Sequence, residues 1–93
     1  MKISFAETFY VLLNEQVKYI AKDKPLAAKK FKKNLIESLK RDLKFPYHYK
    51  KSIYFDNELI RDYVFKGYTI VYKINSEFEI VEIFEFIKYM ESL

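Results

Sequence analysis

The apolar residues of this chain change period once, and that change bounds what the chain can fold into. Through Leu43 they recur every three or four residues. From Leu59 they alternate, with the only glycine, Gly67, set between two runs of aromatic and β-branched residues. Helices followed by strands are therefore the order to expect.

In ETFYVLLNEQVKYIAKD, the side chains of Phe9, Leu13, Val17 and Ile20, with Leu12, fall on one stripe of a helix from Ala6 to near Lys22. KDKP interrupts it. Pro25 suits the first turn of a new helix, where its missing N–H costs nothing, and Asp23 or Lys24 lies at the cap. A second helix follows from Leu26 with the stripe Phe31, Leu35, Leu39 and Leu43, and it ends by Pro46, because the residue before proline is pushed out of helical geometry. A short connection between the two makes them an antiparallel hairpin. The lysines at 29, 30, 32 and 33 read most simply as a solvated helix face.

Lys2 to Phe5 alternates and predicts a first strand. Residues 44–58, KFPYHYKKSIYFDNE, read as a loop with a possible short strand at Ser52 to Phe55. Beyond it come a strand at Leu59–Phe65, a turn at Lys66–Gly67, a strand at Tyr68–Ile74, a turn at Asn75–Ser76 and a strand at Glu77–Phe86. Connections this short force antiparallel pairing. Tyr68, Ile70, Tyr72 and Ile74 share one face, expected to meet the helices, and Thr69, Val71 and Lys73 share the other. Glu82 falls in the phase of Phe78, Ile80, Phe84 and Phe86, which predicts a bulge in the last strand. The tail IKYMESL is either a short helix or a frayed end. The fold class is α+β: one domain, residues 1–93, in which an N-terminal strand and a helical hairpin pack on one face of a small, mainly antiparallel sheet. Arg61, Thr69, Lys73 and several glutamates are available for its open face.

Half of the 93 residues are apolar and 18 are Phe or Tyr, enough for one core. With no cysteine and one histidine, neither a disulfide framework nor a thiolate or multi-histidine metal site can form, and no cofactor is expected. MKISFAETFY carries Glu7 within its apolar run, and no stretch approaches the ~20 apolar residues needed to span a bilayer. A cytoplasmic protein without membrane contact is the expectation. Charge is divided: residues 1–51 hold 13 Lys/Arg against 5 Asp/Glu, and residues 52–93 hold 4 against 8. The basic, helical part suits an anionic partner, either nucleic acid or an acidic protein segment.

The succession VKYIAKDKPLAAKKFKKNLIESLKRDLKFP, then IRDYVFKGYTIVYKI, then EIVEIFEFIKY resembles the RelE/ParE family of toxins from type II toxin–antitoxin modules over nearly the whole chain. The matching residues are Tyr19, Ile20, Ala21, Asp23, Pro25, Ala27, Ala28, Phe31 and Leu35, then Pro46, Arg61, Gly67, Tyr68, Ile70 and Tyr72. The resemblance implies a small bacterial growth inhibitor, of the kind associated with plasmid stabilisation, neutralised by a cognate antitoxin. RelE-like members cut messenger RNA on the ribosome without a metal, using basic residues on the concave sheet face and a C-terminal tyrosine or histidine. ParE-like members act on DNA gyrase.

Metal-free RNA cleavage needs a base for the 2′-hydroxyl, cations for the crowded phosphate and a proton for the leaving oxygen. Nuclease-like relatives commonly carry an arginine after the "GY" of the hairpin. Here that position is Thr69, which offers neither a cation nor an acid. Lys88 and Tyr89 stand where the family's late cation and aromatic would be, with Glu85 beside them to repel a phosphate. The ParE-like reading is therefore favoured over the nuclease with an atypical site, and a non-toxic module that only binds antitoxin is the remaining alternative.

Arg61 could grip a phosphate or an antitoxin carboxylate in bidentate fashion, or pair across strands with Glu79 or Glu82; the family match favours binding. His48 reads as a general base, a stacking residue or, most simply, an ordinary surface-loop histidine, while Tyr47, Tyr49, Lys50 and Lys51 could stack on bases and hold phosphates, or the aromatics could anchor the loop on the core. Lys73 completes the set of candidate contact residues.

Overall fold

The computed structural model describes residues 1–88. Strand β1 (Lys2–Phe5) leads into helices α1 (Glu7–Ala21) and α2 (Pro25–Asp42). A single 3-10 turn follows at Pro46–His48, then strands β2 (Ile60–Phe65), β3 (Tyr68–Asn75) and β4 (Ile80–Lys88). The expectation for the tail beyond Lys88, including Tyr89, lies outside the described residues.

The sheet runs in the order β1-β4-β3-β2, so the first strand lies beside the last. That pair is parallel, with Ile3 opposite Val81 and Phe5 opposite Ile83, while β2, β3 and β4 form the antiparallel meander. The helical hairpin between β1 and the meander supplies the length that a parallel return requires.

One face of the sheet is sealed by α1 and α2. Phe9, Leu13, Leu35, Leu39 and Leu43 from the helical stripes meet Ile70, Tyr72, Ile74, Val81 and Ile83 from the strands, all fully buried. Burying aliphatic and aromatic side chains of this size contributes roughly 1.5–3 kcal/mol each, and this cluster is the main driving force for folding. Polar ties fix the two helices over it. Gln16 Nε2 donates to the Tyr68 hydroxyl at 2.9 Å, and Lys32 Nζ donates to Asn14 Oδ1 at 2.8 Å.

Several boundaries differ from the sequence expectation. Helix α2 stops at Asp42, before proline can act: Leu43 still donates to the Leu39 carbonyl, but its backbone (φ −81°, ψ 10°) has left helical geometry. Its N-cap is Lys24, with no side-chain cap bond. No strand forms at Ser52–Phe55; Lys51 makes one isolated antiparallel bridge to Arg61. The last strand begins at Ile80 rather than Glu77. A four-residue turn, Ser76–Glu79, precedes it, closed by the Asn75 side-chain carbonyl accepting from the Phe78 N–H and by Glu79 at φ 52°. The first hairpin turn is as expected. Lys66 (φ 48°) and Gly67 (φ 84°) are both left-handed, the pattern that lets a two-residue turn follow strand twist.

The expected bulge is present, two residues beyond Glu82. Val71 faces Glu85 and Tyr72 faces Ile83, leaving Phe84 as the extra residue in β4. The bulge resets the phase, so that Val81 and Ile83 before it and Phe86 after it all join the core.

Candidate functional site

Register decides which side each strand residue serves, because directly opposed residues share a face. Arg61 lies opposite the buried Tyr72 and therefore points to the helix-covered side, not to the open face expected for it. Its cross-strand partners also differ from expectation. β3 separates β2 from β4, so neither Glu79 nor Glu82 is its neighbour. Instead its guanidinium donates to three backbone carbonyls: Tyr49 at 2.7 Å, Glu58 at 2.9 Å and Tyr47 at 3.4 Å. Arg61 is a clamp on the segment after α2.

Tyr72 works from the same side. Its buried hydroxyl donates to the Pro46 carbonyl at 2.6 Å, and burial pushes its ionisation well above that of an ordinary phenol. Arg61 and Tyr72 together hold residues 46–49 from beneath. A third tie lies at the end of α2, where the Tyr63 hydroxyl donates to Asp42 Oδ2 at 2.5 Å and Arg41 pairs with the same carboxylate at 2.7 Å. The hydrogen bonds from Arg41 and Tyr63 hold the Asp42 carboxyl below its usual range, while burial and the bond to Asp42 push Tyr63 up to about 12. The Tyr49 ring packs edge-on against Tyr63 at 5.2 Å, and burial raises its ionisation too. Sequence reasoning missed this cluster. Its one signal was a lone acid, Asp42, among the cations at the end of α2.

The result is a collar of chain, residues 44–51, whose backbone is pinned, whose Tyr49 ring packs inward on the core and whose Phe45, Tyr47 and His48 rings are exposed. Phe45 is 72% exposed and Tyr47 50%, with His48 exposed beside them. Lys44 precedes these rings, Lys50 and Lys51 follow them, and all three are exposed. The sequence singled out His48, Lys50 and Lys51, all exposed on this segment; it passed over Phe45, which lines a cleft with Lys44, Tyr47 and His48.

The open face of the sheet has a different character. Lys73, with Lys2 at the rim, shares it with Asp62, Glu82 and Glu85. Thr69 lies there as expected, between Val64 and Ile87. The face is not bare, because the connection after Lys51 laps over it. Phe55 packs on Phe84 at 5.5 Å, Ile53 N donates to Asp62 Oδ2, and Ser52 and Val71 are buried. Asp62 Oδ1 is buried without a partner. Lys88 does not join this face. It lies opposite Tyr68, on the helix side, with its ammonium 5.1 Å from the centre of the Tyr19 ring.

Arg61, Lys73 and Lys88 are thus not convergent. Arg61 and Lys88 sit on strands separated by β3, at least about 10 Å apart by strand spacing alone, and Lys73 is on the other side of the sheet. These three cations do not gather around one phosphate-sized space.

A family model for the ParE toxin of the type II toxin–antitoxin system, parDE, matches residues 3–91. The chain belongs to this ParE toxin family. It is therefore a ParE-type toxin component of a type II toxin–antitoxin system, a family that pairs each toxin with an antitoxin. Among solved structures it is similar to the chromosomal ParDE system from P. aeruginosa, with TM-score 0.79, 10% identity and 97% of each chain covered. It is also similar to the isolated E. coli RelE toxin, with TM-score 0.57, 18% identity, 98% of this chain and 86% of that one covered. At these identities the likeness is one of fold. No curated protein sequence matches the chain significantly. Among the described residues, no helix is long and apolar enough to cross a membrane, and no group of His, Cys, Asp and Glu could hold a metal ion.

Proposed function

We propose that this ParE-family toxin inhibits growth by acting on DNA gyrase and does not cleave RNA. The observation that carries the reading is the composition of the open sheet face. A metal-free nuclease needs cations there to offset phosphate charge, whereas this face sets Asp62, Glu82 and Glu85 against Lys73 and Lys2, with Thr69 in the arginine position. A phosphodiester brought to it finds no excess of positive charge.

The antitoxin segment that silences the toxin would sit along the outer edge of β4. β1 covers that strand only as far as Ile83, so the stretch from Phe84 to Lys88 has no strand neighbour on that side among the described residues. Shallow clefts run beside it, lined by Glu7, Thr8, Val11 and Glu85 at one end and by Gln16, Tyr19, Phe86 and Lys88 at the other. Exposed Val11 and Tyr19 give an amphipathic chain apolar anchors, and the strand edge gives it main-chain hydrogen bonds once it displaces the Thr8 hydroxyl from the Phe84 carbonyl and the Glu85 side chain from the Phe86 N–H.

Induced expression in bacteria tests this reading. The expected result is growth arrest, loss of gyrase supercoiling activity by the purified toxin, intact transcripts, and relief by co-expression of the adjacent antitoxin gene. Cuts within translated codons and unimpaired supercoiling would replace gyrase with the ribosome as the target. Val11→Asp, on the exposed side of α1, is expected to weaken the antitoxin complex without loss of fold.

A further inference from the structure

We propose that the collar after α2 binds single-stranded nucleic acid, with the Phe45, Tyr47 and His48 rings as stacking platforms and Lys44, Lys50 and Lys51 as phosphate contacts. This site is separate from the open sheet face and from the β4 edge, and the proposal stands whichever target the toxin has.

Exposure is the first observation. Large aromatic rings at the surface lose the burial that normally justifies them, yet here two rings and an imidazole stand exposed within four residues, Phe45 to His48, the half-exposed Tyr47 backed by the Arg61 guanidinium at 5.7 Å. The second is rigidity. Arg61 and Tyr72 anchor the backbone carbonyls of Pro46, Tyr47 and Tyr49, so the rings are presented by a held 3-10 turn and little ordering entropy is left for a ligand to overcome.

Charge supplies the third. From Lys40 to Lys51 there are five cations and one acid, and that acid, Asp42, is already engaged by Arg41 and Tyr63. Lys44 and Lys50 have no ion pair among the described residues. Lys51 meets Asp56 at 3.3 Å, but Asp56 is fully exposed and that pair gives way readily to a phosphate. Aromatic faces flanked by cations suit a single strand, since every base offers a face to stack and every linkage a charge. An acidic protein segment fits less well, because lysine is depleted at protein interfaces. A duplex fits less well too. Its bases are already stacked, and a one-turn collar offers no element to enter a groove.

Fluorescence anisotropy of end-labelled probes tests this: an oligouridylate and an oligothymidylate of about ten nucleotides, a duplex of equal charge, and a polyglutamate peptide of equal charge. The single strands are expected to bind more tightly than duplex or peptide. Phe45→Ala combined with Tyr47→Ala should weaken single-strand binding by about tenfold or more. Lys44→Gln combined with Lys50→Gln should reduce the slope of log affinity against log salt by about 1.4. The same loss of charge in the middle of α2, Lys29→Gln with Lys33→Gln, should leave binding unchanged.

A second readout does not depend on removing a ring. The chain has no tryptophan, so Phe45→Trp installs a single indole whose emission should be quenched by the oligonucleotide and not by the peptide. Duplex bound as tightly as single strand, tighter binding of polyglutamate, affinity that survives loss of both rings, or no saturable binding would each overturn the proposal.

Discussion

Two stretches of this toxin mix aromatic residues with cations, the β2–β3 hairpin and the collar after α2, and the fold uses them in opposite ways. In the hairpin, Arg61 and Tyr72 turn toward the helices and spend their polar atoms on backbone carbonyls of the collar. In the collar, Phe45, Tyr47, Lys44 and Lys50 face water. The same residue types are scaffold in one place and surface in the other. What separates them is register and neighbours, because a residue paired with a core strand position must satisfy its polar atoms internally.

The sharpest way to break this comparison is to remove a ring from each region. Tyr72→Ala takes a fully buried aromatic from beneath the collar and is expected to cost roughly 3–5 kcal/mol. Tyr47→Ala, half exposed with its ring 5.7 Å from the Arg61 guanidinium, should cost no more than about 1 kcal/mol. Urea unfolding followed by circular dichroism gives both values. Similar costs at the two positions would erase the distinction between scaffold and surface.

A smaller contrast concerns two of the hairpin's three cations, Arg61 and Lys73. Arg61→Ala strips charge-assisted bonds from three carbonyls and is expected to cost about 2 kcal/mol and to loosen amide exchange protection in residues 46–49. Lys73→Ala, on the open face, should be nearly neutral. Gly67→Ala follows at about 1 kcal/mol. A β-carbon there meets no atom within 4 Å, so the penalty comes from the φ of +84° alone and not from a clash.

Titration of the buried phenols is the smallest effect near neutrality. Tyr63 ionises at about 12 in the fold against 10.0 for a free phenol. A phenol raised in this way stabilises the fold fully below pH 10, and that contribution is lost as pH rises through the folded value. Unfolding should therefore become easier between pH 10 and about 12. Tyr63→Phe and Tyr72→Phe should each flatten part of this loss in urea midpoints measured against pH, Tyr72→Phe by more because its hydroxyl is the more deeply buried.

At the acid end Asp42 has the opposite sign. Its lowered ionisation contributes stability above its ordinary value of 3.8, and that contribution fades as pH falls through the folded value. Asp42→Asn should remove the fading.

The helical hairpin, the type of every strand and the Gly67 turn were legible because each leaves a local trace. The buried stripe residues Phe9, Leu13, Leu35, Leu39 and Leu43 follow from a period near 3.6, and the face of β3 carrying Ile70, Tyr72 and Ile74 follows from a period of two. The family was legible for a related reason, as ordered spacings along one chain. The helix end at Asp42 and the long turn at Ser76–Glu79 were not. Both are set by backbone geometry at one or two residues, which many side chains tolerate.

The sequence by itself determined the elements, the basic–acidic division and the absence of an arginine at Thr69, since these depend only on which residues occur and how far apart they lie. Only the tertiary structure decided that β1 returns beside β4, that Arg61 grips the collar rather than a ligand, and that Lys73 and Lys88 lie on opposite sides of the sheet. Those outcomes rest on strand order and register, which are long-range choices made by the core as a whole. No spacing along the chain records them, and they place the collar's rings and lysines at the surface.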